Sequence, residues 1–155
     1  MSDFQTIADR FEIEALRGEF TDAGTMHDHD RFASLFTEDG VWRIPGIGPD
    51  FVGREEIRAG IERLQDVWEF FVQHTHPGTI QLDGDTATGR VYVAEAGRMR
   101  DGSSHMNHSL YHDRYRRTPD GWKFTERVYE IIYVETTPLT GTAAPASAPG
   151  VPRHG

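Results

Sequence analysis

The chain has 155 residues and a mass of 17.6 kDa, enough for one domain with a sizeable core and too little for two ordinary enzyme domains. Twenty-five Asp and Glu against 16 Lys and Arg leave a formal charge of -9; that sign repels phosphate backbones and anionic headgroups, so neither nucleic acid nor a membrane is expected as a partner. With no cysteine, disulfides, thiolate zinc sites, iron–sulfur clusters and cysteine nucleophiles are excluded together. Acids run through residues 1–30 and no apolar stretch reaches the ~18 residues of a membrane span, so neither a signal peptide nor a spanning helix is read and the expected location is cytoplasmic.

From Asp3 to Met26, Phe4, Ile7 and Phe11 and then Ile13, Leu16, Phe20 and Ala23 recur at steps of three and four, which predicts an amphipathic helix in two phases. The run His27-Asp28-His29-Asp30 interrupts it, and Asp30 is placed to N-cap a short helix whose Phe32, Leu35 and Phe36 face the core. Residues 37–40 read as a turn, 41–44 as a strand, the Pro- and Gly-rich 45–49 as a loop, and 51–52 as a short strand. Ile57, Ile61, Leu64 and Trp68 predict a third helix over 54–68 that starts at Gly53.

Everything after that reads as β. Segments 70–76, 79–83, 86–100, 103–117 and 122–134 are rich in β-branched and aromatic residues and are separated by turn signals such as Asp101-Gly102 and Pro119-Asp120-Gly121. Residues 136–155 hold four of the eight prolines with Ala, Gly, Ser and Thr, a composition expected of a flexible tail beyond a single domain at 1–135. Helices followed by strands predict an α+β fold: a cone-shaped, curved antiparallel sheet with the N-terminal helices packed on its concave face, enclosing a pocket.

Four short motifs follow in order: Asp30-Arg31-x-Ala33-x-Leu35-Phe36-x-x-Asp39-Gly40-x-Trp42, Asp83-Gly84-Asp85-x-Ala87, Tyr111-x-Asp113-x-Tyr115 and Gly121-Trp122-x-Phe124. Together they resemble the SnoaL-like branch of the nuclear transport factor 2-like superfamily, which includes polyketide cyclases, dehydratases and dehydrochlorinases, over roughly residues 5–135. The resemblance implies a cofactor-independent acid/base enzyme of lyase, isomerase or cyclase type. In the dehydrochlorinases of this branch a His is oriented by an Asp. A gapless match puts that Asp at Thr25, which carries no charge; the His falls on His74 when aligned from Gly53, or on His76 when aligned on His-x-Gly-Thr. The same resemblance assigns Phe20, Thr25, Trp42, Val93, Asn107, Ser109, Tyr111, Tyr129 and Ile131 to the pocket wall.

His74 and His76 lie two apart in a strand and so share a face with Phe70 and Val72. A neutral imidazole in a partly apolar pocket suits a general base; the competing reading is a pair of hydrogen-bonded strand histidines. Glu95 stands in an otherwise uncharged run on the face of Val91 and Val93, as partner or replacement for the absent Asp, or else as an edge or interface glutamate. Arg127 with Tyr111, Tyr129 and Asn107 would hold a developing oxyanion; the alternatives are a salt bridge to the next strand for Arg127 and plain packing for the tyrosines.

His74-x-His76 has metal-ligand spacing, but Ile80 and Gln81 stand where a carboxylate is needed, and His108 and His112 face away from His105, so no metal is expected. The sequence therefore predicts proton abstraction from a small, largely apolar, oxygenated or aromatic molecule by His74 or His76 with Glu95 and Arg127. The alternative is a non-catalytic ligand-binding or assembly module. A homo-oligomer is expected, because Met106, Leu110, Trp122, Phe124, Val128 and Ile132 would form a large apolar outer face.

Overall fold

The computed structural model describes residues 3–144. Three helices precede most of a six-stranded sheet: α1 (Phe4–Thr25), α2 (His29–Ser34), β1 (Phe36–Arg43), β2 (Phe51–Val52), α3 (Arg54–Asp66), β3 (Trp68–Asp83), β4 (Thr86–Met99), β5 (Ser104–Thr118) and β6 (Gly121–Glu135). The strand order is β2-β1-β6-β5-β4-β3, with β1 parallel to β6 and the other pairings antiparallel. The α+β architecture with helices on a curved sheet is as expected. The sheet is mixed rather than purely antiparallel, because β1 lies between β2 and β6 and runs parallel to β6.

The Asp3 carboxylate accepts the Thr6 backbone N–H at 2.7 Å and so caps α1. The buried face of α1 is Asp9, Ile13, Leu16, Arg17, Phe20 and Ala23. Its first apolar phase, Phe4, Ile7 and Phe11, points to solvent. The cap of α2 is Asp28, which accepts the Arg31 N–H at 3.2 Å, rather than the expected Asp30. Gly53 opens α3 with φ 86°, a conformation that suits glycine. The segments read as 70–76 and 79–83 are one strand, with a register shift between His76 and Thr79 that spans Pro77-Gly78.

Phe20 is the hub of the interior. Its ring lies 4.5 Å from that of Phe32, 5.6 Å from Tyr111 and 5.9 Å from Phe124, centroid to centroid. Trp122 and Phe124 belong to this core and not to the apolar outer face expected of them. Tyr115 pairs with Phe124 and Arg114 with Glu126, so Thr125 is an extra residue in β6 that reverses the alternation. A second shift leaves Ile132 extra between Ile131, opposite Ser109, and Tyr133, opposite His108.

The stretch after β6 lies against the sheet through at least Gly141. Leu139 donates its N–H to Ser104 Oγ at 3.0 Å, and Arg98 Nη1 reaches the carbonyls of Leu139 at 2.6 Å and Gly141 at 3.0 Å. That corrects the expected tail at its start. Residues 145–155 of that tail lie outside the described residues. No helix among the described residues is long and apolar enough to cross a membrane.

Candidate active site

Between α1, α3 and the inner face of the sheet lies a cavity of about 300 Å³. Its wall is mostly apolar: Phe20, Phe32, Trp42, Ile61, Leu64, Trp68, Phe71, Met99, Ile131 and Val134 contribute, with Ile44 and Ile47 from the loop after β1. Seven of the nine expected wall residues line it, namely Phe20, Thr25, Trp42, Asn107, Tyr111, Tyr129 and Ile131. Val93 and Ser109 are buried on the same sheet face without lining the cavity; Ser109 still serves the site through its hydroxyl.

The polar group at the centre is Glu95, 7% exposed. It stands opposite Gln73 on β3 and opposite Asn107 on β5, so all three side chains share the inner face. One carboxylate oxygen accepts the Tyr129 hydroxyl and the other accepts Gln73 Nε2 at 3.0 Å. Gln73 Oε1 in turn accepts the Thr21 hydroxyl at 2.8 Å. With its proton donated to Glu95, the Tyr129 oxygen takes Asn107 Nδ2 at 3.4 Å and shares a 2.7 Å bond with Ser109 Oγ. The network converges on one carboxylate from both sides. Burial, then the Glu95 charge and hydrogen bond, push the Tyr129 phenol above its ordinary value of 10.0. Burial likewise raises Tyr111, against the opposing pull of Arg127.

The expected histidines do not join this site. His74 pairs with Ala94 and His76 with Tyr92, so both project from the outer face and both are exposed. The register places Gln73 on the cavity side, and a one-residue step along a strand changes faces. Two histidines line the cavity wall, His27 after α1 and His105 on the sheet; His105 accepts the indole N–H of Trp68 at its Nε2, 3.0 Å away. It shares a strand face with Asn107, Ser109 and Tyr111, which was the available signal. Gly97, opposite His105, makes room for this bond: a Cβ there would lie 2.7 Å from His105 Nε2 and 3.1 Å from Trp68 Nε1.

Arg127 is also withdrawn. It is 1% exposed and holds Asp113 through Nε at 2.7 Å and Nη2 at 3.1 Å. Its guanidinium carbon lies 4.3 Å from the Phe20 ring, 3.9 Å from Tyr111 and 4.3 Å from Phe124. The salt-bridge reading of Arg127 is the one the structure supports; Phe20 and Tyr111, which line the cavity, pack against it. Arg17 completes the buried cluster: Nε donates to the Tyr115 hydroxyl at 2.8 Å, and that hydroxyl donates to Asp113 at 2.6 Å. Thr25, which the resemblance aligns with the family's Asp, donates its hydroxyl to the Thr21 carbonyl at 2.9 Å.

A helix-backed cone around an apolar chamber defines the fold class, and comparison with known proteins agrees. The chain belongs to the SnoaL-like domain family, which matches residues 5–128. It is 30% identical over 147 residues to the gamma-hexachlorocyclohexane dehydrochlorinase of Sphingobium indicum, covering 91% of this chain and 90% of that protein. The crystal structure of LinA superposes with a TM-score of 0.82 at 27% identity, over 94% of this chain and 99% of the other. An NTF2-like protein with a cystatin-like fold from Novosphingobium aromaticivorans superposes with a TM-score of 0.69 at 27% identity, over 85% and 92% of the two chains.

Proposed function

We propose that the protein is an acid/base enzyme of lyase or isomerase type, in which Glu95 removes a proton from a carbon next to a carbonyl group in a small neutral molecule. The observation that carries this reading is the position of Glu95: a carboxylate among apolar and aromatic walls, held by Tyr129 and Gln73 so that it stays oriented without a cation beside it. Such a base works in a chamber that excludes most water, where charge movement is felt strongly. As the C–H bond breaks, its electron pair forms a C=C bond, the carbonyl π pair moves to oxygen, and the proton resides on Glu95. Its return at the same or a neighbouring carbon completes the turnover, or else the oxygen's pair re-forms the carbonyl, the new C=C shifts to expel a β-substituent with its bonding pair, and that departing group takes the proton from Glu95. The family resemblance supports this type of chemistry; Glu95 takes the part assigned to a histidine in the dehydrochlorinases.

The test needs no natural substrate. Protein in D₂O with 2-indanone should exchange the protons next to the carbonyl faster than buffer does, read by proton NMR. Glu95→Gln should lower the protein-dependent rate by about 10²–10⁴-fold while the thermal midpoint is held. Absence of protein-dependent exchange with a panel of such ketones would sink the reading. It would favour a ligand-binding module, which is consistent with both carboxylate oxygens already accepting a donor.

A further inference from the structure

Among the described residues His105 Nδ1 and Asn107 Oδ1 are buried polar atoms without a hydrogen-bond partner, and both residues line the cavity from one face of β5. Their chemistry can be assigned. The Trp68 indole N–H is always a donor, so His105 Nε2, which accepts it, carries no proton and the neutral ring bears its hydrogen on Nδ1. Asn107 Nδ2 donates to Tyr129, which leaves Oδ1 as the acceptor. One unpaired donor and one unpaired acceptor therefore sit two residues apart on a strand, roughly 7 Å along it. Leaving such groups unpaired is costly, and a buried orphan asks for a partner outside the chain.

Among the described residues the cavity wall contains no Lys or Arg, its histidines are His27 and His105, and its one carboxylate is Glu95. A carboxylate or phosphate ligand would meet Glu95 without a permanently charged side chain to offset it, since Arg127 is engaged with Asp113.

From these observations we infer that the cavity is built for an uncharged hydroxyketone, whose carbonyl oxygen accepts from His105 Nδ1–H and whose hydroxyl donates to Asn107 Oδ1. Both atoms are closed to solvent, so this binding mode requires the side chains that cover them to part. Glu95 lies directly opposite Asn107 and diagonal to His105, which sets the carbon between the two ligand oxygens towards the carboxylate. This rests on the acid/base reading above and adds the substrate class; in that reaction His105 would steady the enolate oxygen.

Affinity separates the two ideas, because it is measured on the Glu95→Gln protein, where no proton is taken. Four probes are titrated against tryptophan fluorescence: 2-hydroxy-1-indanone, 1-indanone, 2-indanol and 3-oxoindane-1-carboxylate. The hydroxyketone should bind roughly tenfold tighter than either probe lacking one oxygen function, and the carboxylate should be weakest in the wild-type protein. His105→Phe should erase the advantage of the carbonyl, and Asn107→Leu that of the hydroxyl. ¹⁵N NMR of the wild-type imidazole should show a protonated Nδ1, with Trp68→Phe relaxing that preference; this holds as a test even where a cavity variant does not fold. Equal affinities for the first three probes, tight carboxylate binding, or a protonated Nε2 in neutral His105 would each overturn the inference. Loss of deuterium exchange alone would not, since it bears on Glu95.

Discussion

Gln73 and Glu95 face each other across the β3–β4 pair, with the amide nitrogen 3.0 Å from the carboxylate. That relationship puts an uncharged side chain, and not a histidine, at the point of β3 nearest the acid. His74 and His76 on either side of the next pairings look outward.

It follows that His74→Ala and His76→Ala should leave deuterium exchange within twofold of wild type. Being exposed on the outer face, each should change stability by no more than about 0.5 kcal/mol. Urea denaturation beside the exchange assay checks both. A large loss of exchange in either variant would return the base to β3.

Arg127 should matter for stability. Its removal leaves Asp113, 3% exposed, as a buried charge without its two-pronged partner, so Arg127→Met should cost about 3–5 kcal/mol. Adding Asp113→Leu should recover part of that, because a buried pair replaced by apolar groups is often close to neutral. A single variant within 1 kcal/mol of wild type, on the order of the exposed-pair range, would contradict the assignment.

Acid should weaken the docking of α1. The Arg117 guanidinium, bonded to Asp9 at 2.6 and 2.8 Å, and then the Trp122 indole hold the Asp9 carboxyl well below its ordinary 3.8. A carboxyl depressed in the folded state binds its proton more readily when unfolded. Its contribution is therefore complete above the ordinary value and declines as pH falls below it towards the folded value. Denaturation midpoints at pH 6 and pH 3 should differ less in Asp9→Asn than in wild type; an unchanged difference would remove Asp9 from the account.

We propose that copies associate through the outer sheet face. Trp122 and Phe124 lie in the core, yet Val72, Tyr92, Met106 and Tyr133 remain exposed there, a patch that favours burial. Light scattering should give a multiple of 17.6 kDa, and Tyr133→Glu should reduce it, whereas Phe11→Glu on α1 should not. A wild-type monomer at micromolar concentration, or dissociation by Phe11→Glu alone, would oppose this.

Much of this architecture is legible in the residue pattern. The period of Ile13, Leu16, Phe20 and Ala23 and that of Ile57 and Ile61 mark true helix faces. Phe4, Ile7 and Phe11 have the same spacing but lie on the side of α1 that faces solvent, while Asp9 and Arg10 of the same turns reach the sheet. Glu95 is legible because a charge inside an apolar alternation has a definite face. His105 is harder: its role depends on Trp68, far away in sequence, and on the absent side chain at Gly97. The inward turn of Trp122 and Phe124 hangs on Thr125, whose side chain says nothing about being unpaired. The withdrawal of Arg127 depends on Asp113, a neighbour that strand parity allows but does not require.

The two extra residues in β6 carry a consequence for capacity. Thr125 and Ile132 each lengthen one strand relative to its neighbour, and a strand so lengthened bends and coils. The room available to a guest is thereby governed by the arc of β6 as well as by the size of the groups on the wall. Relatives that lose or move one of these residues can admit guests of different girth while keeping every wall residue, and a gapless reading of their sequences would misplace half of the strand.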